Sequence, residues 1–149
     1  MRAVVQRSKY SAVYVDERRI SSINKGLVVF LGVGEGDNET DVDYMADKIV
    51  NLRIFEDEGG KLNLSCIQAG GEILVVSQFT LYGDCRKGRR PSFTSAAKPE
   101  MADKYYREFI KKLKGMGLKV AQGVFGADMT VEINNHGPIT ILLDSRKRF

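Results

Sequence analysis

The residues best suited to chemistry lie between Ile73 and Leu81, where polar side chains follow directly on a pattern typical of a buried strand. Residues 73–76 are consecutive apolar residues, mostly β-branched, which predicts a strand buried on both faces. Ser77, Gln78 and Thr80 then place hydroxyl and amide groups at the end of this core element. Buried polar groups cost free energy unless they are hydrogen-bonded, so these three either cap the strand against a loop or form a reactive site.

A second stretch, Asn135–Thr140, combines the only histidine of the chain with a Gly137-Pro138 pair. Asn and Gly ahead of Pro, between two segments that alternate apolar and polar residues, are ordinary turn residues, and a turn is enough to explain them. A catalytic role is the alternative, because a threonine hydroxyl such as that of Thr80 needs a neighbouring base before it can attack a substrate. His136 offers the one imidazole for that role, although a turn histidine is the better interpretation.

The densest basic cluster of the chain is Arg86-Lys87-Gly88-Arg89-Arg90, in a long polar connection that follows the central strand. Charged loops are usually just solvated, and that interpretation needs no partner. The net charge of +4 permits contact with nucleic acid without requiring it. The tail Arg146-Lys147-Arg148 is a weaker version of the same pattern.

Length and composition limit the class of protein. A chain of 149 residues, 43% hydrophobic and 28% charged, is typical of one globular domain with a sizeable core. No apolar run approaches the ~20 residues of a membrane span, and the first residues enter a strand pattern rather than a signal peptide. Cys66 and Cys85 lack CxxC spacing, and one histidine leaves zinc without ligands. We therefore predict a single cytosolic domain over residues 1–149, with reduced thiols, no metal and no cofactor.

The elements that must position these residues include several strands. We predict early strands at about residues 2–7 and 11–15, a turn through Glu17-Arg18-Arg19, and a buried strand at residues 27–33. Period-two alternation predicts two final strands, at residues 129–133 and 139–143, which are joined by a turn at His136-Gly137-Pro138.

Two helices complete the predicted fold. Thr40 is the expected N-cap of the first helix. Apolar residues and a closing arginine recur on one face of that helix at three-and-four spacing: Val42, Met45, Ala46, Ile49 and Arg53. The second helix should run from about Pro99 to Met116, because proline suits a first helical turn, and its buried face should contain Ala102, Tyr105, Tyr106, Phe109 and Leu113. The combination predicts an α+β fold with helices packed on a curved or barrel-like sheet.

Ser77–Leu81 resembles the SQFTL signature of the D-aminoacyl-tRNA deacylases, which free tRNA from D-amino acids. Asn135–Thr140 resembles the N-x-G-P-x-T motif of the same family. Further likeness fills the intervals between the two motifs, at Met1–Arg7, Leu52–Phe55, Gly88–Phe93 and Gly123–Met129. The resemblance therefore covers essentially the whole chain, in order.

The resemblance implies a homodimeric hydrolase that cleaves the ester between an aminoacyl group and the terminal ribose of tRNA. In the family, the Gly-Pro peptide is cis and reaches into the active site of the partner subunit. Gly137 and Pro138 would there reject an L-amino acid by steric clash, since enantiomers carry identical groups and selectivity must come from exclusion. Glycine has no side chain, so glycine mischarged onto tRNA should also be hydrolysed.

The resemblance leaves two mechanisms open. Thr80 has been assigned as a nucleophile by analogy in parts of the family, but no convincing base accompanies it, and His136 falls on the unspecified position of its motif. We favour a mechanism in which backbone N–H groups around Ser77, Gln78, Phe79 and Thr80 stabilise the oxyanion. The ribose 2′-hydroxyl of the tRNA would help to activate water.

Further residues are assigned to binding by the same resemblance. Phe125, Met129 and Asn135 are candidates for the pocket, although Phe125 and Met129 could equally be ordinary core residues. The basic loop is expected to contact phosphates of the tRNA acceptor end through Arg86, Lys87, Arg89 and Arg90. Two alternatives remain: an editing module that removes a wrong L-amino acid from tRNA, and a non-catalytic RNA-binding module.

Overall fold

Strand β1 (Arg2–Val15) forms the centre of the sheet because three other strands pair with it. The computed structural model describes all residues from Met1 to Phe149. The other strands are β2 (Arg18–Ile23), β3 (Gly26–Gly32), β4 (Phe55–Glu56), β5 (Leu62–Leu64), β6 (Glu72–Ser77), β7 (Val120–Gln122) and β8 (Thr130–Asp144). The helices are α1 (Glu39–Val50) and α2 (Pro99–Gly115), with a short 3₁₀ helix at Phe79–Tyr82.

The main sheet is mixed and strongly curved. Strand β1 pairs antiparallel with β3 through its first half, with β2 through its second half, and with β8 along both halves. Strand β6 lies parallel to both β3 and β7. The Ser21 hydroxyl of β2 donates to the Gln122 carbonyl of β7 over 2.8 Å, so the two ends of the sheet approach each other and the predicted barrel-like α+β fold is confirmed.

The curvature creates one core inside the sheet and another between the sheet and the helices. The inner core is small and consists of Val13, Ile23, Val28, Leu74 and Val76. Leu27, Val29, Ile73 and Val75 alternate with these residues and face the larger core under α1 and α2. Residues 73–76 are at most 1% exposed, which confirms a central strand buried on both faces.

Both predicted helices are confirmed, with differences at their ends. Helix α1 is capped by Asn38 rather than Thr40, because the Asn38 side chain accepts from the Thr40 N–H and the Asp41 side chain accepts from the Asn38 N–H. Arg53 lies beyond the end of α1. Helix α2 starts at Pro99 and buries the five predicted residues of its inner face. Neither helix is long and apolar enough to cross a membrane.

Three predicted strand boundaries are wrong. Residues 2–15 form one continuous strand, and the turn that follows is Asp16-Glu17, so Arg18 and Arg19 already belong to β2. The central strand ends at Ser77, and the chain then enters the 3₁₀ helix, so Gln78 and Thr80 lie beyond the strand and not at its end. Both differences arise from long-range pairing that local alternation does not encode.

The third difference concerns the predicted hairpin at His136-Gly137-Pro138, which is not a hairpin. Strand β8 continues along β1 on both sides of these residues. Ser8 pairs with Asn135 and Gln6 pairs with Thr140, so β8 advances five residues while β1 advances two. The excess residues are accommodated in a bulge, His136–Ile139, which we call the β8 bulge.

Candidate active site

A cavity of about 620 Å³ lies beyond the carboxyl ends of the parallel strands β3, β6 and β7. We call it the site cavity. Eleven of its sixteen lining residues are hydrophobic. The sixteen residues come from the ends of β3 and β6, from the connection before α2 and the first turn of α2, and from the segment before β8 and the start of β8: Val33, Val76–Phe79, Phe93, Ala96, Ala97, Pro99, Ala102, Phe125–Met129 and Val131.

The backbone after β6 presents unused hydrogen-bond donors beside this cavity. The Gln78 N–H donates to the Leu31 carbonyl over 2.8 Å, which extends the contact with β3 by one residue. The N–H groups of Phe79 and Thr80, at the start of the 3₁₀ helix, have no acceptor in the chain. Gly32 permits this close approach, because a Cβ atom there would lie 2.9 Å from the Gln78 carbonyl oxygen.

The Thr80 side chain has no base beside it. Its hydroxyl accepts a hydrogen bond from the Gln78 side-chain amide and makes no contact with a histidine, a carboxylate or a lysine. Thr80 is exposed and is not among the residues that line the cavity, whereas Ser77, Gln78 and Phe79 are. The local geometry therefore supplies a threonine hydroxyl without the activation that a nucleophile needs.

The apolar walls of the cavity are held by specific contacts. Phe79 packs edge-to-face on Phe93, with ring centroids 5.1 Å apart. Phe125 lies 5.9 Å from the ring of Tyr106, whose hydroxyl donates to the Val75 carbonyl over 2.9 Å. Burial raises the pKa of Tyr106 to about 12, so this hydroxyl stays neutral and serves as a hydrogen-bond donor.

The segment before β8 contributes two of the three predicted pocket residues, together with an ionisable residue that was not predicted. Phe125 and Met129 both line the cavity, and the Met129 sulfur accepts from the Val124 N–H over 3.4 Å. Asp128 is the only ionisable side chain in the cavity wall. The likeness of residues 123–129 to the family segment contained this signal, since Asp128 is the one acidic residue in it.

The β8 bulge lies away from the cavity of its own chain. Gly137 and Pro138, joined by a cis peptide bond, are exposed, and neither residue lines the cavity. Asn135, a predicted pocket residue, also lies outside it. Its side-chain oxygen accepts from the Ile139 N–H over 3.3 Å, so Asn135 braces the bulge instead. Gly137 has φ +124°, a backbone conformation that favours glycine.

A buried arginine, which the sequence did not single out, supports this bulge from below. Arg7 is 5% exposed, and its side chain donates to the His136 carbonyl over 3.2 Å and to the Ile54 carbonyl over 3.0 Å. His136 lies with Lys9 and Arg7 in a separate cavity of about 400 Å³. Partial burial and these two cations lower the pKa of His136, and no hydrogen bond connects it to Thr80.

The basic loop also lies outside the cavity wall. Arg86 forms two side-chain hydrogen bonds with Asp84, at 2.9 and 2.7 Å, and they hold the pKa of that carboxyl far below its usual range. Lys87, Arg89 and Arg90 are exposed. No group of three histidine, cysteine, aspartate or glutamate side chains is arranged to hold a metal ion.

Comparison with known proteins gives a consistent family. The family model described as D-Tyr-tRNA(Tyr) deacylase matches residues 4–144. D-aminoacyl-tRNA deacylases from Clostridioides difficile and Halothermothrix orenii are 64% and 62% identical to the chain, over its full length and theirs. A solved structure described as c-Myc DNA Unwinding Element Binding Protein is 42% identical, with a TM-score of 0.92, and the match covers 97% of this chain and 98% of that one.

Proposed function

The chain belongs to the D-Tyr-tRNA(Tyr) deacylase family, and we propose from this premise that it hydrolyses the ester bond of D-aminoacyl-tRNA. The products are free tRNA and the D-amino acid, and glycine mischarged onto tRNA is a further substrate. The chain is thus an ester hydrolase that proofreads aminoacyl-tRNA. One observation carries the assignment of the site: unused backbone N–H groups stand beside an apolar cavity that contains no activated side chain.

Stabilisation of the developing oxyanion is the first task of the site. The Phe79 and Thr80 N–H groups are free to donate to it, whereas the Gln78 N–H is engaged with β3. Ser77 and Gln78 then hold the backbone in place and line the cavity. Preorganised donors of this kind lower the barrier because they need no rearrangement as charge develops. The attacking water is activated by the ribose 2′-hydroxyl, so Thr80 contributes its backbone and not its hydroxyl.

Discrimination between enantiomers is the second task, and it requires two chains. The exposed Gly137-Pro138 pair does not reach the cavity of its own chain, so it can act as a gate only on the cavity of a partner. In a homodimer, the bulge of each subunit closes the cavity of the other. A rigid backbone wall rejects the side chain of an L-amino acid by clash, whereas a D-amino acid directs its side chain elsewhere. Phe125 and Met129 bind the aminoacyl or adenosine group.

The substrate also carries phosphates outside the cavity. The exposed loop that contains Arg86, Lys87, Arg89 and Arg90 follows the 3₁₀ helix directly and contacts the tRNA acceptor end. Such contacts position the RNA without reading its sequence. Residues 1–149 act as one catalytic domain in the cytosol, where aminoacyl-tRNA is made and used.

The reaction is tested by hydrolysis of D-tyrosyl-tRNA beside L-tyrosyl-tRNA, with a tRNA-free tyrosyl ester as the third substrate. We expect rapid loss of the D-aminoacyl-tRNA alone. Cleavage of the L-form alone would instead identify an editing module for L-amino acids. Sedimentation at assay concentrations should show a dimer, and an active monomer would contradict the gate in trans.

A non-catalytic nucleic-acid-binding module is the second candidate. The name of the 42% identical solved structure points to DNA binding by that protein, and the basic loop gives this chain a surface for a similar role. Binding that weakens with salt, without hydrolysis of either aminoacyl-tRNA, would favour this function.

A further inference from the structure

A second cavity, of about 590 Å³ and lined mostly by polar residues, adjoins the C-terminal end of the 3₁₀ helix. Four arginines from three parts of the chain line it: Arg2, Arg86, Arg146 and Arg148. We call it the arginine cleft. Tyr82, the last residue of the 3₁₀ helix, lies in its wall, whereas Phe79, the first residue, lies in the wall of the site cavity. The helix rises ~2 Å per residue, so the backbones of these two wall residues are only ~6 Å apart along its axis.

Two of these arginines are held in fixed positions. The Arg2 guanidinium lies 4.6 Å from the Tyr82 ring centroid and donates to the Leu81 carbonyl over 3.0 Å and to Asp144 over 3.3 Å. Arg146 donates to the Glu35 carbonyl over 3.0 Å and to the buried Asp37 carboxylate over 3.1 Å. A guanidinium has five N–H donors, so each of these arginines retains three that can bind a ligand.

The other two arginines are more exposed. Arg148 makes no hydrogen bond or ion pair, so all of its donors are free, and Arg86 is paired only with Asp84. Two carboxylates, Glu35 and Asp84, also line the cleft, and four arginines outnumber them. Asp84 pairs with Arg86, and the buried Asp144 and Asp37 pair with Arg2 and Arg146. Arg148 and Glu35 therefore carry the unpaired charges of the cleft wall.

We propose that the arginine cleft binds phosphodiester groups of the tRNA strand whose 3′ end occupies the site cavity. Arginine is the side chain best suited to phosphate, because its planar fork donates two parallel hydrogen bonds. A stacked strand advances ~3.4 Å per nucleotide, so the phosphates one to three nucleotides before the reacting end fall within reach of the cleft. This inference rests on the proposed function. It extends the contact with tRNA from the basic loop to arginines near both ends of the chain.

The test compares two substrates that share the scissile ester. D-tyrosyl-tRNA carries the phosphates, and the 3′-O-D-tyrosyl ester of adenosine does not. We expect Arg148→Gln, which lies outside the basic loop, to raise KM for D-tyrosyl-tRNA severalfold and to leave kcat unchanged. Its hydrolysis of the adenosine ester should equal that of the unmodified chain. The slope of log affinity for uncharged tRNA against log salt concentration should fall by ~0.7 for each arginine removed.

Two further variants control for charge and position. The Lys114→Gln variant removes the same charge from the exposed face of α2 and should leave KM unchanged. Glu35→Gln removes the unpaired carboxylate and should lower KM for D-tyrosyl-tRNA severalfold.

The outcomes separate failure of the inference from failure of the proposed function. Normal hydrolysis of both substrates, with equal KM and salt slope in the arginine and lysine variants, would overturn the inference alone. Tight binding of inorganic pyrophosphate that depends on Arg148, with KM for tRNA unchanged, would also overturn it, because the cleft would then hold a free anion. If the unmodified chain hydrolyses neither substrate, the proposed function fails, and the salt slope for uncharged tRNA still decides whether the cleft binds RNA.

Discussion

The segment Ser77–Tyr82 and the β8 bulge both interrupt a strand at a family motif, but they lie in different environments. The first segment turns into a 3₁₀ helix and lines the site cavity through Ser77, Gln78 and Phe79. The β8 bulge leaves Gly137 and Pro138 exposed and outside that cavity. One motif therefore lines a cavity of its own chain, whereas the other lies outside that cavity and, in the function we propose, acts on the cavity of a second chain.

The two regions are also stabilised differently. Backbone contacts fix the first, through the Gln78 N–H on Leu31 and the close approach that Gly32 permits. Side chains fix the second, through Arg7 and Asn135. Side-chain substitutions in the first region should therefore act mainly by changing the shape of the cavity. Substitutions of the side chains that support the bulge should instead change selectivity.

The largest effect is expected from filling the site cavity. Ala97 lines it, and its N–H donates to the Val33 carbonyl over 3.0 Å, so Ala97→Phe should place a ring in the cavity without removing this contact. Misplacement of a substrate by about 1 Å can cost ~100-fold in rate, so we expect kcat/KM for D-tyrosyl-tRNA to fall at least that much. Ala97→Ser, which keeps the cavity open, should retain activity. Full activity of the phenylalanine variant would show that the substrate binds elsewhere.

Loss of the support below the bulge should reduce selectivity. Arg7→Gln leaves the His136 and Ile54 carbonyls without their donor, which should destabilise the chain by ~1–3 kcal/mol. The looser gate should admit L-tyrosyl-tRNA, and we expect the ratio of D to L hydrolysis to fall about tenfold. Lys9→Gln, at a neighbouring exposed position, is the control. If the ratio of D to L hydrolysis is unchanged in a destabilised Arg7 variant, the bulge does not control selectivity.

The Thr80 hydroxyl should matter little. Its only side-chain partner is the Gln78 amide, and the backbone N–H survives in Thr80→Ala. We expect kcat to fall less than about tenfold, because loss of a neutral hydrogen bond costs only ~1 kcal/mol. Single-turnover hydrolysis of D-tyrosyl-tRNA measures this. A loss of a thousandfold or more, in a variant that melts normally, would make Thr80 the nucleophile.

The smallest effect is expected from His136. Its pKa is lowered from 6.5, so more than half of the side chains are neutral at pH 6.5 and the neutral fraction increases as the pH rises. Activity of His136→Asn should therefore follow that of the unmodified chain between about pH 6.5 and 8.5. A basic limb that disappears from the pH–rate profile in the variant would contradict this.

The pattern of apolar and polar residues predicted those elements of the fold that depend on neighbouring residues in the sequence. Residues 73–76 are apolar and β-branched, and no other element accommodates such a run as well as a buried strand. The N-cap of α1 could not be decided from the pattern, because Asn38 and Thr40 each have an aspartate three residues later, Asp41 and Asp43, and only the structure shows that Asn38 and Asp41 form the capping box. The bulge could not be predicted either, since apolar and polar residues alternate on both sides of Gly137-Pro138 in the same way in a hairpin and in one continuous strand. Only pairing with β1 distinguishes the two.

The same distinction between local pattern and tertiary contact applies to the residues of the site cavity. Phe125 and Met129 were identified through the family segment and do line the cavity. Phe93 and Ala97 were not, because they lie in a connection that reads as polar, and their place in the wall depends on tertiary contacts with Phe79 and Val33. Arg7 was also missed, because a buried arginine has no signature when its partners are carbonyl groups distant in sequence.

The central claim, a cavity and a gate supplied by different chains, is tested most directly by mixing two variants. Pro138→Gly has an open cavity and lacks the gate, so alone it should hydrolyse both D- and L-tyrosyl-tRNA. Ala97→Phe has a filled cavity and an intact gate, so alone it should be inactive. With excess Ala97→Phe, nearly every Pro138→Gly chain enters a mixed dimer, which native mass spectrometry can verify. We predict that L-hydrolysis then falls towards zero while D-hydrolysis persists. L-hydrolysis that continues unchanged in verified mixed dimers would contradict a gate in trans.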